Sequence, residues 1–363
     1  MTVALDPQIF LLQRYGGVSR YFVELQSSLS KIEFSNARIV APIHFNAHLK
    51  DMSPKTGVYI PWSTEKFGIN RNIRRVGIKI ANTNLRRLKP RILHETFYGE
   101  ELPWLGRHKT VTTIYDLIRE RQNTEHQKIA RKHSAIRRAD AIISISQNTT
   151  RELSEFYNVP IERIRTIYLG VSDFFRGQDA LINEEILSLK PYILFVGHRK
   201  GYKNWKCFVE AFAMSNYLKA NFNVICFGGN TFNQFENRFL NDLNLEGRIL
   251  HRKGNDFLLR TLYQNSVCLV YPSKYEGFGL PIVEAMASGC PVFASNTPAL
   301  LESGGVAAKY FFADKVESIS STLESGLSST LDLKEMSING LSHSLNYTWE
   351  KTAKLTRNLY TSI

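Results

Sequence analysis

The sequence predicts an α/β protein made of two doubly wound, parallel-sheet domains in tandem. Short β-branched runs alternate with longer amphipathic ones along the chain, the pattern of successive βαβ units. Several strand runs are apolar almost throughout rather than alternating, as strands covered on both faces are. A length of 363 residues suits two domains better than one.

In the first half the strand candidates are TVALD (2–6), ARIVAP (37–42), RILHET (91–96), TVTTIYD (110–116), DAIISIS (140–146) and RIRTIYLG (163–170). The clearest helices there span 18–31 and about 124–138. Residues 43–90 show no sheet rhythm, and loops and short helices are expected there. The second half repeats the scheme with YILFVG (192–197), NVICFGG (223–229), RILHRKG (248–254), SVCLVYPS (266–273) and PVFAS (291–295). Helices at about 204–217, 232–243, 256–264 and 281–288 separate these strands. The mixed, polar stretch over 170–190 marks the seam, giving a first domain of 1–175 and a second of 176–346. A closing helix from Thr348 onward, within 347–363, is expected to return to the first domain.

Composition narrows the class. The chain is 43% hydrophobic, enough for ordinary cores, yet no apolar run is long enough to span a bilayer. The opening MTVALDPQIF lacks a basic region followed by an apolar block, so no signal peptide is expected. Cys207, Cys226, Cys268 and Cys290 form no Cys-x-x-Cys pair and no zinc-like cluster, which fits reduced, buried thiols in a cytoplasmic protein. Charge is lopsided. Residues 1–165 hold 27 Lys and Arg against 15 Asp and Glu, whereas the remainder holds 19 against 18. The excess concentrates in 71–91, which contains no acid, and around Lys128, Arg131, Lys132, Arg137 and Arg138. One half therefore suits an anionic partner: nucleic acid, anionic lipid or a diphosphate-linked acceptor.

Ligands of doubly wound sheets bind at the carboxyl ends of the strands, and two such domains facing one another make an interdomain cleft. Four local features point there, the last of them a pair of strand ends. SKYEGFGLPIVEAMASGCPVFAS (273–295) sets Glu276 and Glu284 eight positions apart around a Gly-rich turn that opens a helix, with Pro281 at its first position. Free N–H groups at that helix start attract phosphate. Ionised carboxylates accept hydrogen bonds from hydroxyls. The combination suggests a nucleotide sugar. RYGGVSRYFVEL (14–25) places Gly16 and Gly17 after the first strand, where φ > 0 and close backbone approach are open to them. VGHRKGYKNWKCF (196–208) offers Arg199 and Lys203 as fixed cations for a diphosphate, with Asn204 as a helix N-cap. LHETFY (93–98) and TIYDLI (113–118) end strands with His94, Glu95 and Asp116. These three either line the acceptor side or serve structure, His94 as a buried histidine and Asp116 as a helix N-cap. Glu284 also suits a helix first turn, and Glu276 a solvated loop.

Glu-x7-Glu in EGFGLPIVE, the Gly-Gly loop after the first strand and the Arg and Lys loop after the first strand of the second domain resemble retaining family-4 glycosyltransferases (glycosyl transferases group 1) of the GT-B fold. RYGGVSRYF, FVGHRKGYKNW and TWEKTA agree in order and spacing, so the resemblance spans nearly the whole chain. It implies that the second domain binds a nucleoside-diphosphate sugar as donor substrate, with no further cofactor. Glu284 would accept the ribose hydroxyls and Glu276 hydroxyls of the donor sugar. Backbone N–H groups of Gly277, Phe278, Gly279 and Leu280 would hold sugar and phosphate. Arg199 and Lys203 would stabilise the departing diphosphate, and Gly17 would reach it from the first domain. No metal is implied. Retention in the family needs no protein nucleophile, unlike the two-carboxylate hydrolase scheme. Many relatives carry His-Asp where this chain has Tyr115-Asp116; either Tyr115 substitutes as a hydroxyl donor or the sugar differs. Lys200 competes with Lys203 for the diphosphate.

The expected activity is thus hexose transfer, mannose favoured, to a glycan or lipid-linked acceptor of a surface polysaccharide. The basic first half would lie against the inner face of the membrane. A nucleotide-sugar epimerase on the same plan is the alternative enzyme. A nucleic-acid-binding protein fits the charge, but aromatics are not interleaved with the basic runs and no recognition motif appears.

Overall fold

The computed structural model describes residues 1–33, 36–52, 56–61, 67–99, 107–177 and 191–363, with the side chains of 67–69 outside that description. The chain divides into two units, Met1–Gly170 with Trp349–Ile363, and Val171–Thr348. The division precedes the expected boundary at 175 because the segment after Gly170 is tied to the second unit. Val171 bridges Thr348, and Arg176 donates to the carbonyls of Ser344 and Tyr347, each at 2.9 Å. Most of the polar seam, 178–190, lies outside the described residues.

The first unit holds β1 (Thr2–Leu5), β2 (Asn36–Ile39), β3 (Ile43–His44), β4 (Val58–Tyr59), β5 (Ile92–Glu95), β6 (Lys109–Ile114), β7 (Ala141–Ser144) and β8 (Ile164–Thr166). Strands β3 and β4 form a small parallel ribbon; the rest make one sheet in the order β2-β1-β5-β6-β7-β8. All pairs are parallel, with Leu5 opposite Ile39 on one side and His94 on the other. The helix Gly17–Leu29 lays Phe22, Leu25 and Leu29 on one face of this sheet. Trp349, Ala353, Leu359 and Tyr360 of the helix Trp349–Ser362 complete the same core. Burying each such large apolar side chain contributes about 1.5–3 kcal/mol, which explains why the closing helix returns here. Thr352 Oγ1 adds a 2.8 Å bond to the Tyr168 carbonyl.

The other face differs from expectation. Residues Phe67–Leu88 form one long helix rather than loops and short helices. Ala81 and Leu85, flanked by Ile78 and Leu88, pack on Ala4, Val40 and Leu93. The apolar stripe is narrow and interrupted by arginines, so its 3.6-residue period is weak in sequence.

The second unit is a parallel sheet of β9 (Tyr192–Val196), β10 (Asn223–Phe227), β11 (Ile249–Arg252), β12 (Cys268–Tyr271), β13 (Val292–Ser295) and β14 (Ala308–Phe311), in the order β11-β10-β9-β12-β13-β14. Trp205, Phe208 and Phe212 of the helix Trp205–Met214 pack against Phe195, Phe293 and Phe311. Strand β14 and the helices Val316–Leu327 and Thr330–Ser344 were not among the expected elements. The four cysteines are free thiols, three of them buried. No helix among the described residues is long and apolar enough to cross a membrane.

Candidate active site

In the second sheet the chain leaves β9 toward β10 and β11 but leaves β12 toward β13 and β14. The crevice beyond the carboxyl ends of β9 and β12 is therefore the switch point where such sheets bind ligands. Two loops meet there. The β9 loop turns at Gly197 (φ 130°) and ends in a 3-10 turn, Gly201–Lys203. The β12 loop runs from Pro272 to Gly279, and Lys274 N–H donates to the Tyr202 carbonyl at 2.8 Å, tying the two together.

This junction brings together two expected residues and one that sequence reasoning missed. Lys203 Nζ lies 2.5 Å from Glu276 Oε1 and 2.6 Å from the Tyr271 hydroxyl, which itself donates to Glu276 Oε1 at 2.9 Å. Lys203 and Glu276 keep 12% and 13% of their side-chain surface exposed, so the pair is largely withdrawn from water yet reachable. Such charge-assisted bonds are about twice as strong as neutral ones. Burial, then the neighbouring Glu276 charge, push the Tyr271 hydroxyl well up, so it stays a donor. The only sequence trace of Tyr271 is a tyrosine closing an otherwise aliphatic strand, CLVY. The hydroxyls of Ser273 and Ser295, at the ends of β12 and β13, are buried without a partner among the described residues.

Gly279 caps the helix Leu280–Ala287 at φ 101°, and Pro281 is its second residue rather than its first. A Cβ on Gly279 would stand 2.6 Å from Leu300 Cδ2, so only glycine fits. Glu284 is 5% exposed and sits in the second turn, which removes the first-turn dipole role as its explanation. Phe278 is buried, edge-on to Tyr347 at 5.3 Å.

Arg199 faces elsewhere. Its Nε and Nη2 grip Glu236 at 2.9 and 3.3 Å, and its Nη1 and Nη2 reach the carbonyls of Gly228, Asn230 and Thr231. The guanidinium also lies 4.6 Å from the centre of the Phe232 ring. Burial would raise the Glu236 carboxyl, but the Arg199 bonds and the Asn233 N–H bring it below its ordinary range. Lys200 is exposed. Asn204 is left-handed (φ 57°) and does not cap through its side chain, which donates to the Ala313 carbonyl at 2.7 Å.

In the first unit, neither Gly16 nor Gly17 adopts the left-handed backbone region. Gly16 is extended (φ 170°), and a Cβ there would collide with Gln13. Gly17 opens its helix, and a Cβ there would meet no described atom within 4 Å, which keeps its backbone approachable. Asp116 Oδ1 accepts from Ile118 N–H at 3.2 Å, a local turn contact beside the helix Ile118–Gln122. Tyr115 has a buried hydroxyl without a partner among the described residues, packed edge-on to Tyr21. His94 is fully buried between Tyr360 OH (2.6 Å) and Thr113 Oγ1 (2.8 Å), and burial pulls it down to about 3, so it stays neutral. Glu95 is clamped by Arg138 at 2.7 and 2.9 Å. His94 and Glu95 thus hold the sheet together. Among the described residues no cluster of three metal-ligating side chains occurs.

A family model described as Glycosyltransferase Family 4 matches residues 15–173, and one described as Glycosyl transferases group 1 matches residues 180–342. The chain is 28% identical over 242 residues to the O-antigen chain mannosyltransferase B of Escherichia coli, covering 63% of this chain and 62% of that protein. It matches only about a third of the length of the serotype-specific mannosyltransferase WbdA of the same species, so it spans less than two thirds of the curated relatives it resembles. Among solved structures, Anabaena Alr3699/HepE, determined in complex with UDP and glucose, superposes with a TM-score of 0.79 at 14% identity and full coverage of both chains. The sucrose-phosphate synthase of Thermosynechococcus elongatus gives 0.76 at 18% identity, covering 100% of this chain and 98% of that one. At such identities these structures speak to the fold, which is GT-B. With one family model over each half of the sequence and the strand-end loops placed as described, the chain belongs to the family-4, group 1 glycosyltransferases.

Proposed function

We propose that the protein is a retaining, metal-independent hexosyltransferase that takes a nucleoside-diphosphate sugar as donor and a glycan or lipid-linked acceptor in surface polysaccharide assembly. The Lys203–Glu276–Tyr271 triangle at the β9/β12 switch point carries this reading. The donor diphosphate draws Lys203 onto its oxygens, and Glu276 then turns both its oxygens to the sugar hydroxyls. Tyr271 steadies Glu276 through this exchange. The N–H groups from Gly277 to Leu280, at the start of an eight-residue helix, add positive potential at the phosphates. Glu284, one turn further on, takes the ribose. As the bond from the anomeric carbon to the diphosphate oxygen breaks, the acceptor oxygen bonds to the same face. The leaving oxygen accepts the acceptor's proton, and Lys203 offsets the charge that develops. Arg199 would have to leave Glu236 to join it, so Lys203 is assigned the main role.

Mannose is favoured because several curated relatives are named as mannosyltransferases, and a guanosine nucleotide is proposed as its carrier. The basic first unit suits a cytoplasmic enzyme held at an anionic membrane face. A thermal-shift screen against GDP-mannose, UDP-glucose and dTDP-glucose tests the donor. A ligand at about 100 times its Kd stabilises by roughly 2.7 kcal/mol, so the true donor should raise the midpoint by several degrees. No shift with any nucleotide sugar would refute the reading. Interconversion of the sugar nucleotide without an acceptor would move it to an epimerase.

A further inference from the structure

Residues 343–348 end the second unit, far along the chain from the β9 and β12 loops, yet they support the β12 loop in two ways. The first support is direct. Phe278, inside the Gly-rich turn, is buried and meets the Tyr347 ring edge-on, with ring centres 5.3 Å apart. Phe278 has no polar side-chain atom, so only packing can orient it. An edge-on aromatic pair fixes distance and tilt together, because the positive edge of one ring seeks the negative face of the other. The second support is indirect. Gly279 packs against the helix Pro298–Gly304, where a Cβ would stand 2.6 Å from Leu300 Cδ2 and 3.0 Å from Ser303 Oγ. The same segment pins that helix. The Tyr347 hydroxyl donates to the Glu302 carbonyl at 2.9 Å, and His343 Nε2 donates to the Ser303 carbonyl at 2.9 Å. Both carbonyls belong to the last turn, which lacks intrahelical donors. Burial, then the Glu302 charge, push the Tyr347 hydroxyl up to about 12, so it stays a donor.

Tyr347 is in turn held by its backbone. Its carbonyl accepts from Val171 N–H at 3.0 Å and from Arg176 Nη2 at 2.9 Å. One residue therefore joins the segment entering the second unit, the segment leaving it and the turn that carries the 277–280 amides.

We infer that Tyr347 is a positioning residue for the donor. Its ring sets Phe278, and with it the 277–280 N–H groups that receive the phosphates; Arg176 sets Tyr347. The inference rests on the donor reading above and adds the residue that aims the phosphate-binding turn. Glu284 and the ribose are outside its reach, because Ile282–Ala287 are all buried in their own helix.

Calorimetric titration of the full chain with the mono- and diphosphates of guanosine, uridine and thymidine tests it. The quantity read is the ratio of monophosphate to diphosphate Kd for the base that binds. Tyr347→Leu removes the ring edge and should lower this ratio about fivefold, by weakening the diphosphate. Tyr347→Phe restores the ring and should recover most of the loss. Arg176→Met should lower the ratio too. Combined with Tyr347→Leu it should add nothing further, because the arginine acts through the ring. An unchanged ratio in Tyr347→Leu overturns the inference. So does an equal loss for mono- and diphosphate, which is what general loosening of the unit produces. An additive double variant overturns the link from Arg176 to the turn. Urea midpoints on the same proteins confirm that the folded chain is being titrated. If no nucleotide binds the unaltered chain, the donor reading fails and this role falls with it; normal binding there with an unmoved ratio in the variant removes the positioning role alone.

Discussion

Glu276 uses one oxygen, Oε1, for both Lys203 and Tyr271, and Oε2 has no partner among the described residues. The side chain is thus oriented by the protein while half of its accepting capacity stays open. Lys203 and Arg199 look equivalent in sequence, four positions apart on one loop. What separates them is Glu236, 37 residues downstream of Arg199, which no local pattern reveals. Their variants should differ in kind. Glu276→Ala and Lys203→Ala are expected to lower kcat by roughly two to three orders of magnitude, since both act on charge or geometry that changes at the transition state. Glu284→Ala should mainly raise the donor Kd. Arg199→Ala should instead cost about 3–5 kcal/mol of stability, because it strands a buried Glu236 carboxylate. Saturating-donor rates and urea midpoints distinguish these outcomes; full activity in either of the first two variants contradicts the assigned roles.

Single elements were legible where hydrophobic period and punctuation agreed. GFGLP announced a turn into a helix, and the helix Leu280–Ala287 follows it at once. The long helix Phe67–Leu88 escaped notice because its exposed stripe is occupied by arginines and its apolar stripe is only a few residues deep. Strand β14 was missed because AKYF is short and its two middle residues are only half-buried. Gly279 is the element-scale hinge of the site. Alanine there meets both a left-handed backbone and Leu300 at 2.6 Å. Gly279→Ala should cost about 1–3 kcal/mol from the backbone alone and pull the 277–280 amides out of line. Chemical denaturation and the donor Kd should therefore both worsen. A donor Kd equal to that of the unaltered chain would detach this glycine from the site.

The doubly wound class could be anticipated for the molecule as a whole, since apolar parallel strands write themselves plainly in sequence, but the order of the strands within each sheet comes from the structure alone. Burial could not be anticipated either. In sequence His94 and Glu95 suit the acceptor side of a cleft as well as a structural role, and the packed structure decides for the second by locking them between sheet and helices. A pH dependence follows. The unfolded chain protonates His94 near its ordinary value of 6.5, whereas the folded one resists until about 3. Below 6.5 the unfolded state therefore binds more protons, and His94 removes stability as pH falls toward 3, at up to about 1.4 kcal/mol per pH unit. Above 6.5 it contributes no slope. Urea midpoints between pH 7.5 and 5 should fall more steeply in the unaltered chain than in His94→Gln; parallel curves would sink this account.

Because Trp349–Ser362 completes the core begun by residues 1–170, the order of synthesis and the order of folding diverge. Every residue of the second unit leaves the ribosome before Tyr360 arrives to close over His94. The nascent amino-terminal sheet must wait with one flank uncovered, while the later-made unit, whose two ends are clasped at Val171 and Thr348, already has all of its own parts.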